Sequence, residues 1–177
     1  MYEMFDECSA FNQYLGSSWN TSAVTTFYKM FYDCSIFNHG DTTNAGTKDF
    51  TWTISNTISN GVEGMFYNCS AFNQNVTSFT LSNVIRTYEM FYGCSVFNNG
   101  DITNANSKPL TNWNTSNITN MYAMFKRASA FNQDITNWDT SNVVNMEYTF
   151  DEAITFNQNI RRWDTSNVTT YNYMSVS

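Results

Sequence analysis

Residues 124–146, MFKRASAFNQDITNWDTSNVVNM, contain one complete copy of a unit that recurs along the whole chain. Its most regular part is Met-Phe, two variable residues, a Cys or Ala, two more residues and then Phe-Asn. Copies of this unit begin at Met4, Met30, Met65, Met90, Met124 and Thr149, and Met174 opens a seventh. Self-similarity at a period of about 20–50 residues is typical of proteins in which each unit stacks on its neighbours. The sequence therefore predicts a solenoid.

The copies have two lengths. Most are 25 or 26 residues long, whereas those at 30–64 and 90–123 have 35 and 34 residues. The additional residues lie between the Phe-Asn pair and the Trp and share a Gly-Asp-x-Thr-Asn-Ala-x-x-Lys frame, which indicates a repeated insertion. We predict a single repeat domain over residues 1–177, with longer repeats at 30–64 and 90–123 and without terminal caps.

Two local patterns alternate within a unit. From Ile118 to Ala128 the apolar residues fall at helical spacing, and the Thr-Ser-Asn before them offers an N-cap, which together predict a short amphipathic helix. Residues 133–138 indicate a short extended segment with Ile135 and Trp138 pointing inward. We therefore expect an α/β solenoid, a right-handed coil like that of leucine-rich repeats. It would have one short strand and one short helix in each of about six to seven repeats.

Charge and composition exclude several classes of function. A net charge of −7 with only eight basic residues argues against nucleic acid as a partner. No apolar run approaches the about 18 residues that span a membrane, and the first residues lack the pattern of a signal peptide. Serine-hydrolase, phosphate-loop and zinc-protease motifs are also missing from the sequence. We expect no enzyme activity and no cofactor.

The cysteines and the single histidine follow the repeat. Cysteine occupies one position in four copies, and alanine takes it in two, which favours a small buried residue. We expect an unpaired internal ladder, with disulfides between adjacent coils as the alternative. The four are Cys8, Cys34, Cys69 and Cys94. His39 occurs where the short copies have Gln, so it indicates an adjusted turn rather than a catalytic or zinc-binding residue.

The segments FNQDITNWDTSNVVNM (131–146) and MFYNCSAFNQNV (65–76) resemble the surface-protein repeats of BspA-like and mycoplasma lipoprotein sequences. These repeats are a divergent branch of the leucine-rich repeats, and the resemblance covers nearly the whole chain. Two departures are Ala23, in place of the capping Asn, and Phe79, in place of a Trp. The resemblance implies a curved or twisted parallel solenoid on a cell or particle surface, involved in adhesion or binding and without a catalytic mechanism.

One asparagine recurs beside the second Phe of every copy. Stacked parallel coils would bring these side chains within about 5 Å of each other, where each amide can bond the next coil. We predict a structural ladder of Asn12, Asn38, Asn73, Asn98, Asn132 and Asn157.

The two insertions are the first candidates for binding, because loops on a rigid scaffold carry specificity. Their matching residues are Asp41, Asn44 and Lys48 in one and Asp101, Asn104 and Lys108 in the other, with solvated decoration as the alternative. Too few carboxylates are present for a typical calcium loop. Tyr32, Tyr67 and Tyr92 share the position two after the Met, which indicates contact with protein or carbohydrate, or half-buried packing.

These patterns favour a non-catalytic, surface-exposed module for binding or adhesion, acting on a protein or glycan outside the cell or on a particle. The alternative is a structural block whose uncapped ends join copies of the chain into a fibre or a tiled surface.

Overall fold

The structure is a computed structural model that describes residues 1–16, 19–43, 48, 50, 52, 54, 57–58 and 61–174. Within these residues there is no helix and no strand. The nearest approach to a sheet is three isolated parallel bridges, Arg86 with Asn120, Asn120 with Asn145 and Asn145 with Thr170. The expected α/β solenoid with one helix and one strand per repeat is therefore wrong, and so is the comparison with leucine-rich repeats. None of the described segments is a helix able to cross a membrane.

Left-handed residues replace the predicted helix. Within residues 118–128, Ala123 and Arg127 have φ values of 51° and 61°. The positions immediately before the Met and three after it have φ between 47° and 69° in every described copy. They are Glu3, Glu7, Lys29, Asp33, Gly64, Asn68, Glu89, Gly93, Ala123, Arg127, Tyr148, Glu152 and Tyr173. A right-handed helix cannot pass through such residues, so each copy folds as a series of turns.

The backbone hydrogen bonds alternate between the turn and the next copy. The N–H of Tyr92 donates to the carbonyl of Glu89, three residues back, at 3.2 Å. The N–H of Phe91 donates instead to the carbonyl of Met124 in the following copy, at 2.9 Å. In an α-helix every N–H would bond within its own turn, four residues back. The alternation therefore ties each coil to its neighbour without forming a helix or a continuous strand.

The core consists of aromatic columns that run through the stack. Phe91 stacks on Phe125 with ring centroids 5.7 Å apart, and Phe97 stacks on Phe131 at 5.9 Å. Within one copy the rings of Phe91 and Phe97 are 4.2 Å apart, so the two columns also touch each other. In a third column Trp138 donates its indole N–H to the Leu110 carbonyl, at 3.0 Å. Apolar burial is thus continuous along the molecule.

The buried thiols also join neighbouring coils. All four cysteines are free. The sulfur of Cys69 donates to the Phe31 carbonyl and that of Cys94 to the Phe66 carbonyl, each at 2.9 Å. Burial raises the pKa of Cys34 to about 12, so this thiol stays protonated and unreactive at neutral pH.

Candidate functional site: the tyrosine face

Nine of the eleven tyrosines lie one or two residues before the Met of a copy, which is Thr149 in the sixth copy, or two residues after it. We name this surface the tyrosine face: Tyr2, Tyr28, Tyr32, Tyr67, Tyr88, Tyr92, Tyr122, Tyr148 and Tyr173. The repeat pattern indicated only the three that follow the Met, Tyr32, Tyr67 and Tyr92. Those before the Met were missed, although their constant phase with the Met was a readable signal.

The tyrosines of this face stack on their copies. The rings of Tyr32, Tyr67 and Tyr92 are half-buried and follow one another at 4.2 and 4.5 Å, nearly parallel. In the neighbouring row, Tyr88 stacks on Tyr122 at 4.7 Å. Because each ring covers the face of the next, the rows present mainly ring edges and hydroxyl groups to solvent.

Cationic side chains of the chain itself cover the outer rings. The Lys29 ammonium lies 4.5 Å from the ring centroid of Tyr32, and the Arg127 guanidinium lies 5.9 Å from that of Tyr92. Arg127 also donates to the Tyr92 hydroxyl, at 3.3 Å. These are cation–π contacts at both ends of one tyrosine row. The face therefore already accommodates positive charge.

The tyrosine face also concentrates negative charge. Nine of the fifteen acidic residues, but three of the eight basic ones, lie between two residues before the Met and three after it. The acids are Glu3, Asp6, Glu7, Asp33, Glu63, Glu89, Glu147, Asp151 and Glu152, and the bases are Lys29, Lys126 and Arg127. A partner on this side meets an excess of carboxylates.

Glu89 lies among the two tyrosine rows. Burial raises the pKa of its carboxyl and the charge of Glu63 raises it too, against the opposing effects of Lys29 and Lys126. Burial, followed by the charge of Glu89, raises the pKa of Tyr88 to about 12. The pKa of Tyr122 is raised by the same two causes, in the same order. The hydroxyls around Glu89 therefore stay protonated at neutral pH.

The aspartates of the two insertions turn inward. Asp101 is 4% exposed, and its carboxylate accepts hydrogen bonds from Thr103, at 2.6 and 2.8 Å, and from the N–H of Ser107, at 2.9 Å. Burial alone would raise the pKa of Asp101, but these bonds and one from Gln133 hold it well below its usual range. Asp41 is 5% exposed and makes the corresponding pair of bonds to Thr43. Neither carboxylate is offered to a partner.

The other insertion candidates have separate places. The Lys108 ammonium donates to the Gly100 carbonyl within its own loop, at 3.0 Å. The Lys48 ammonium lies 5.5 Å from the ring centroid of Tyr14. Asn104 is exposed in a left-handed conformation, with φ at 54°. Asn44 lies outside the described residues.

Two buried glutamines, which the sequence analysis did not single out, hold the insertions down. Gln133 accepts the N–H of Lys108 at 3.0 Å and donates to the side chains of Asn98 and Asp101, at 3.0 and 3.2 Å. Gln74 makes the same three contacts with Lys48, Asn38 and Asp41. Each insertion is thus fastened onto the short copy that follows it. The sequence sign of this contact is the Phe-Asn-Gln that occurs in the short copy after each inserted copy.

The asparagines at the ladder position connect successive copies. The side-chain oxygen of Asn73 accepts the backbone N–H groups of Asn98 and Gly100, both at 2.8 Å. In every copy that has a successor, the oxygen accepts the N–H of the next asparagine at 2.8 Å. The donors are Asn38, Asn73, Asn98, Asn132 and Asn157, and the first acceptor is Asn12. These contacts make the side chains of Asn12, Asn38, Asn73, Asn98 and Asn132 part of the scaffold, whereas Asn157 is exposed and contributes only its backbone N–H.

His39 is buried at 1% exposure beside Phe50, with ring centroids 4.4 Å apart, and its Nδ1 has no hydrogen-bond partner. Burial, followed by the charge of Lys48, lowers its pKa to about 4. The ring is therefore neutral at physiological pH. Its ring neighbours are core aromatics and the exposed Tyr14.

Protonation of His39 gives a testable pH dependence. The pKa of His39 is lower in the folded chain than in the unfolded one, so His39 has no effect on the pH dependence of stability above about pH 6.5. The free energy of unfolding falls as the pH drops from there toward 4. This difference in pKa corresponds to a loss of about 3 kcal/mol in the free energy of unfolding near pH 4. We expect His39→Asn, which matches Asn99 of the other inserted copy, to remove this dependence. Urea denaturation at pH 7 and pH 4.5 checks it, and an unchanged difference between the two pH values would contradict it.

Over the described part of the chain, no group of three or more His, Cys, Asp or Glu residues is placed to hold a metal ion.

Comparison with known proteins gives a family and no function. No curated protein and no solved structure matches the chain. A family described as "Mycoplasma protein of unknown function, DUF285" matches residues 1–104 and 100–176. The mycoplasma part of the resemblance is thereby supported, whereas the match does not point to BspA. With both matches together spanning nearly all of its length, the chain belongs to this DUF285 family of mycoplasma repeat proteins.

Proposed function

We propose that this protein is a non-catalytic binding module whose tyrosine face contacts a protein partner. The observation that carries the proposal is the pair of stacked, half-exposed tyrosine rows on one acidic side of the stack. Tyrosine supplies large contact area together with a hydroxyl that donates and accepts, and it is enriched at the centres of interfaces. Stacking also orders the rings in advance, which lowers the entropy lost on binding.

The stacking favours protein over glycan. A sugar ring packs against a free aromatic face, but the faces of Tyr32, Tyr67 and Tyr92 are covered by one another and, at the ends, by Lys29 and Arg127. Ring edges, hydroxyls and carboxylates remain, and these suit the hydrogen-bond donors of a polypeptide. A location on a cell or particle surface, and a relationship to BspA-like repeats, are parts of the proposal that rest on the sequence resemblance.

Replacing two tyrosines of the face tests whether it binds a protein partner. We expect the double variant Tyr67→Ser, Tyr92→Ser to lose at least about tenfold in affinity for peptides selected by the natural chain from a displayed random library. The matched control is Tyr14→Ser with Tyr171→Ser, the two tyrosines outside the face, which are 55% and 66% exposed. Affinity is measured by fluorescence anisotropy, and thermal unfolding by circular dichroism establishes that each variant is folded.

A less disruptive pair separates binding from folding. Tyr67→Phe with Tyr92→Phe keeps the stacked rings and removes only the hydroxyls, so we expect weaker binding with a nearly unchanged melting temperature. Equal losses in the face and control variants, or binding to arrayed glycans without any to peptides, would contradict the proposed function.

A further inference from the structure

Glu89 is an acidic residue whose charge is balanced only at longer range, by Lys29 and Lys126. It is half-buried, yet among the described residues its carboxylate accepts no hydrogen bond and lies in no ion pair, whereas its backbone N–H and carbonyl are both bonded. Other acids near it are satisfied: Glu63 lies 3.6 Å from Arg86, and Asp151 lies 2.8 Å from Lys126. A carboxylate that is partly removed from water without gaining a hydrogen bond lowers the stability of the fold.

The position of Glu89 does not demand an acid. Equivalent residues in the copies before and after it are Gly64 and Ala123, and all three have left-handed φ values, 53°, 58° and 51° respectively for Glu89, Gly64 and Ala123. Glycine is the residue that adopts this conformation most easily. Glu89 therefore adds a partly desolvated charge at a site where the neighbouring copies have no charge. Partly desolvated charges of this kind concentrate at functional sites.

We propose that Glu89 anchors an arginine side chain from a basic segment of the protein partner. This inference rests on the proposed function of the tyrosine face. A guanidinium group binds a carboxylate through two parallel hydrogen bonds, and it is more weakly hydrated than an ammonium group. Its remaining N–H groups can donate to the surrounding tyrosine hydroxyls, which stay neutral at physiological pH.

The charge of the face selects the partner. Its excess of carboxylates attracts a basic segment and repels an acidic one. The same repulsion disfavours a second copy of this chain, whose net charge is −7. Positive groups fit among these rows, since Lys29 and Arg127 already make cation–π contacts with tyrosine rings there.

Short homopolymeric peptides test the anchor directly. Fluorescein-labelled hexa-arginine, hexalysine and hexaglutamate are titrated with the whole chain at about 150 mM salt, where weak surface attraction is screened. We expect hexa-arginine to bind most tightly, hexaglutamate not to bind, and Glu89→Gln to weaken hexa-arginine binding at least about tenfold. Glu89→Gln should melt at the same or a higher temperature than the natural chain, because a desolvated charge is removed.

The control removes the same charge elsewhere. Asp139 is exposed on a different turn, where its carboxylate accepts from Ser141, and Asp139→Asn keeps an acceptor oxygen. We expect it to change affinity less than about twofold. Equal weakening by both variants, equal affinity for hexalysine and hexa-arginine, or no binding of either peptide overturns the role of Glu89. If displayed-library peptides without arginine still depend on Tyr67 and Tyr92, the tyrosine face keeps its proposed function and only the arginine anchor fails.

Discussion

Phe91→Ala is expected to lower the free energy of unfolding by about 3–5 kcal/mol, the range for truncating a fully buried phenylalanine. The ring of Phe91 is 0% exposed and touches rings on three sides: Phe66 at 5.4 Å, Phe97 at 4.2 Å and Phe125 at 5.7 Å. Its removal leaves a cavity in the middle of a column, where neither neighbouring coil can move closer without breaking the backbone bonds between copies. Urea denaturation followed by tryptophan fluorescence measures the effect.

The matched variant for this prediction is Phe156→Ala in the sixth copy. Phe156 is only partly buried, so the same truncation should lower the free energy of unfolding by about 1–2 kcal/mol. A loss below about 1 kcal/mol for Phe91→Ala would mean that the phenylalanine columns contribute little to stability.

Asn98→Ala is expected to lower the free energy of unfolding by about 3 kcal/mol, because it leaves buried polar groups without partners. The Asn98 side chain accepts from the N–H of Asn132 at 2.8 Å and from the Gln133 amide at 3.0 Å. It also donates to the Asp101 carbonyl, at 3.1 Å. One substitution therefore removes the link to the next copy and one attachment of the insertion. Chemical denaturation gives the stability, and hydrogen exchange of the Asn132 amide shows whether the link is lost.

Asn157 provides the control for the ladder. It is exposed, and it donates its backbone N–H to Asn132 without a hydrogen bond from its own side chain within the described coils. Asn157→Ala should therefore change the free energy of unfolding by less than about 0.5 kcal/mol. Similar losses for Asn98 and Asn157 would assign the effect to local turn propensity and not to contacts between copies.

The wrong prediction of a helix has a specific cause. A turn that bonds three residues back and a helix that bonds four back both bring residues three or four apart to the same side. The apolar spacing from Ile118 to Ala128 fits either, and Ala123 and Arg127 carry no local mark of a left-handed conformation. A left-handed conformation is unfavourable for alanine by itself. Ala123 adopts it here because its N–H donates to the Glu147 carbonyl of the next copy, at 2.9 Å.

The binding candidates differ in how far a local pattern could reveal them. Asp41 and Asp101 have the composition of exposed loop residues, and only the buried amides of Gln74 and Gln133 in the following copy bring them inside. The tyrosines of the face could have been found by aligning each residue relative to the Met. The environment of the Glu89 carboxylate could not be found in this way, because it depends on side chains of other copies, among them Lys29, Glu63 and Lys126.

The repeat sequence by itself determined which residues share a column: phenylalanine, tryptophan, asparagine and cysteine or alanine, each at a constant phase. Phase is a one-dimensional property, and stacking turns it directly into contact between copies. The tertiary structure alone decided the backbone path within a copy and the solvent exposure of the charged residues. Both follow from hydrogen bonds and desolvation across neighbouring coils, which no single copy contains, and Glu89 owes its proposed role to that environment.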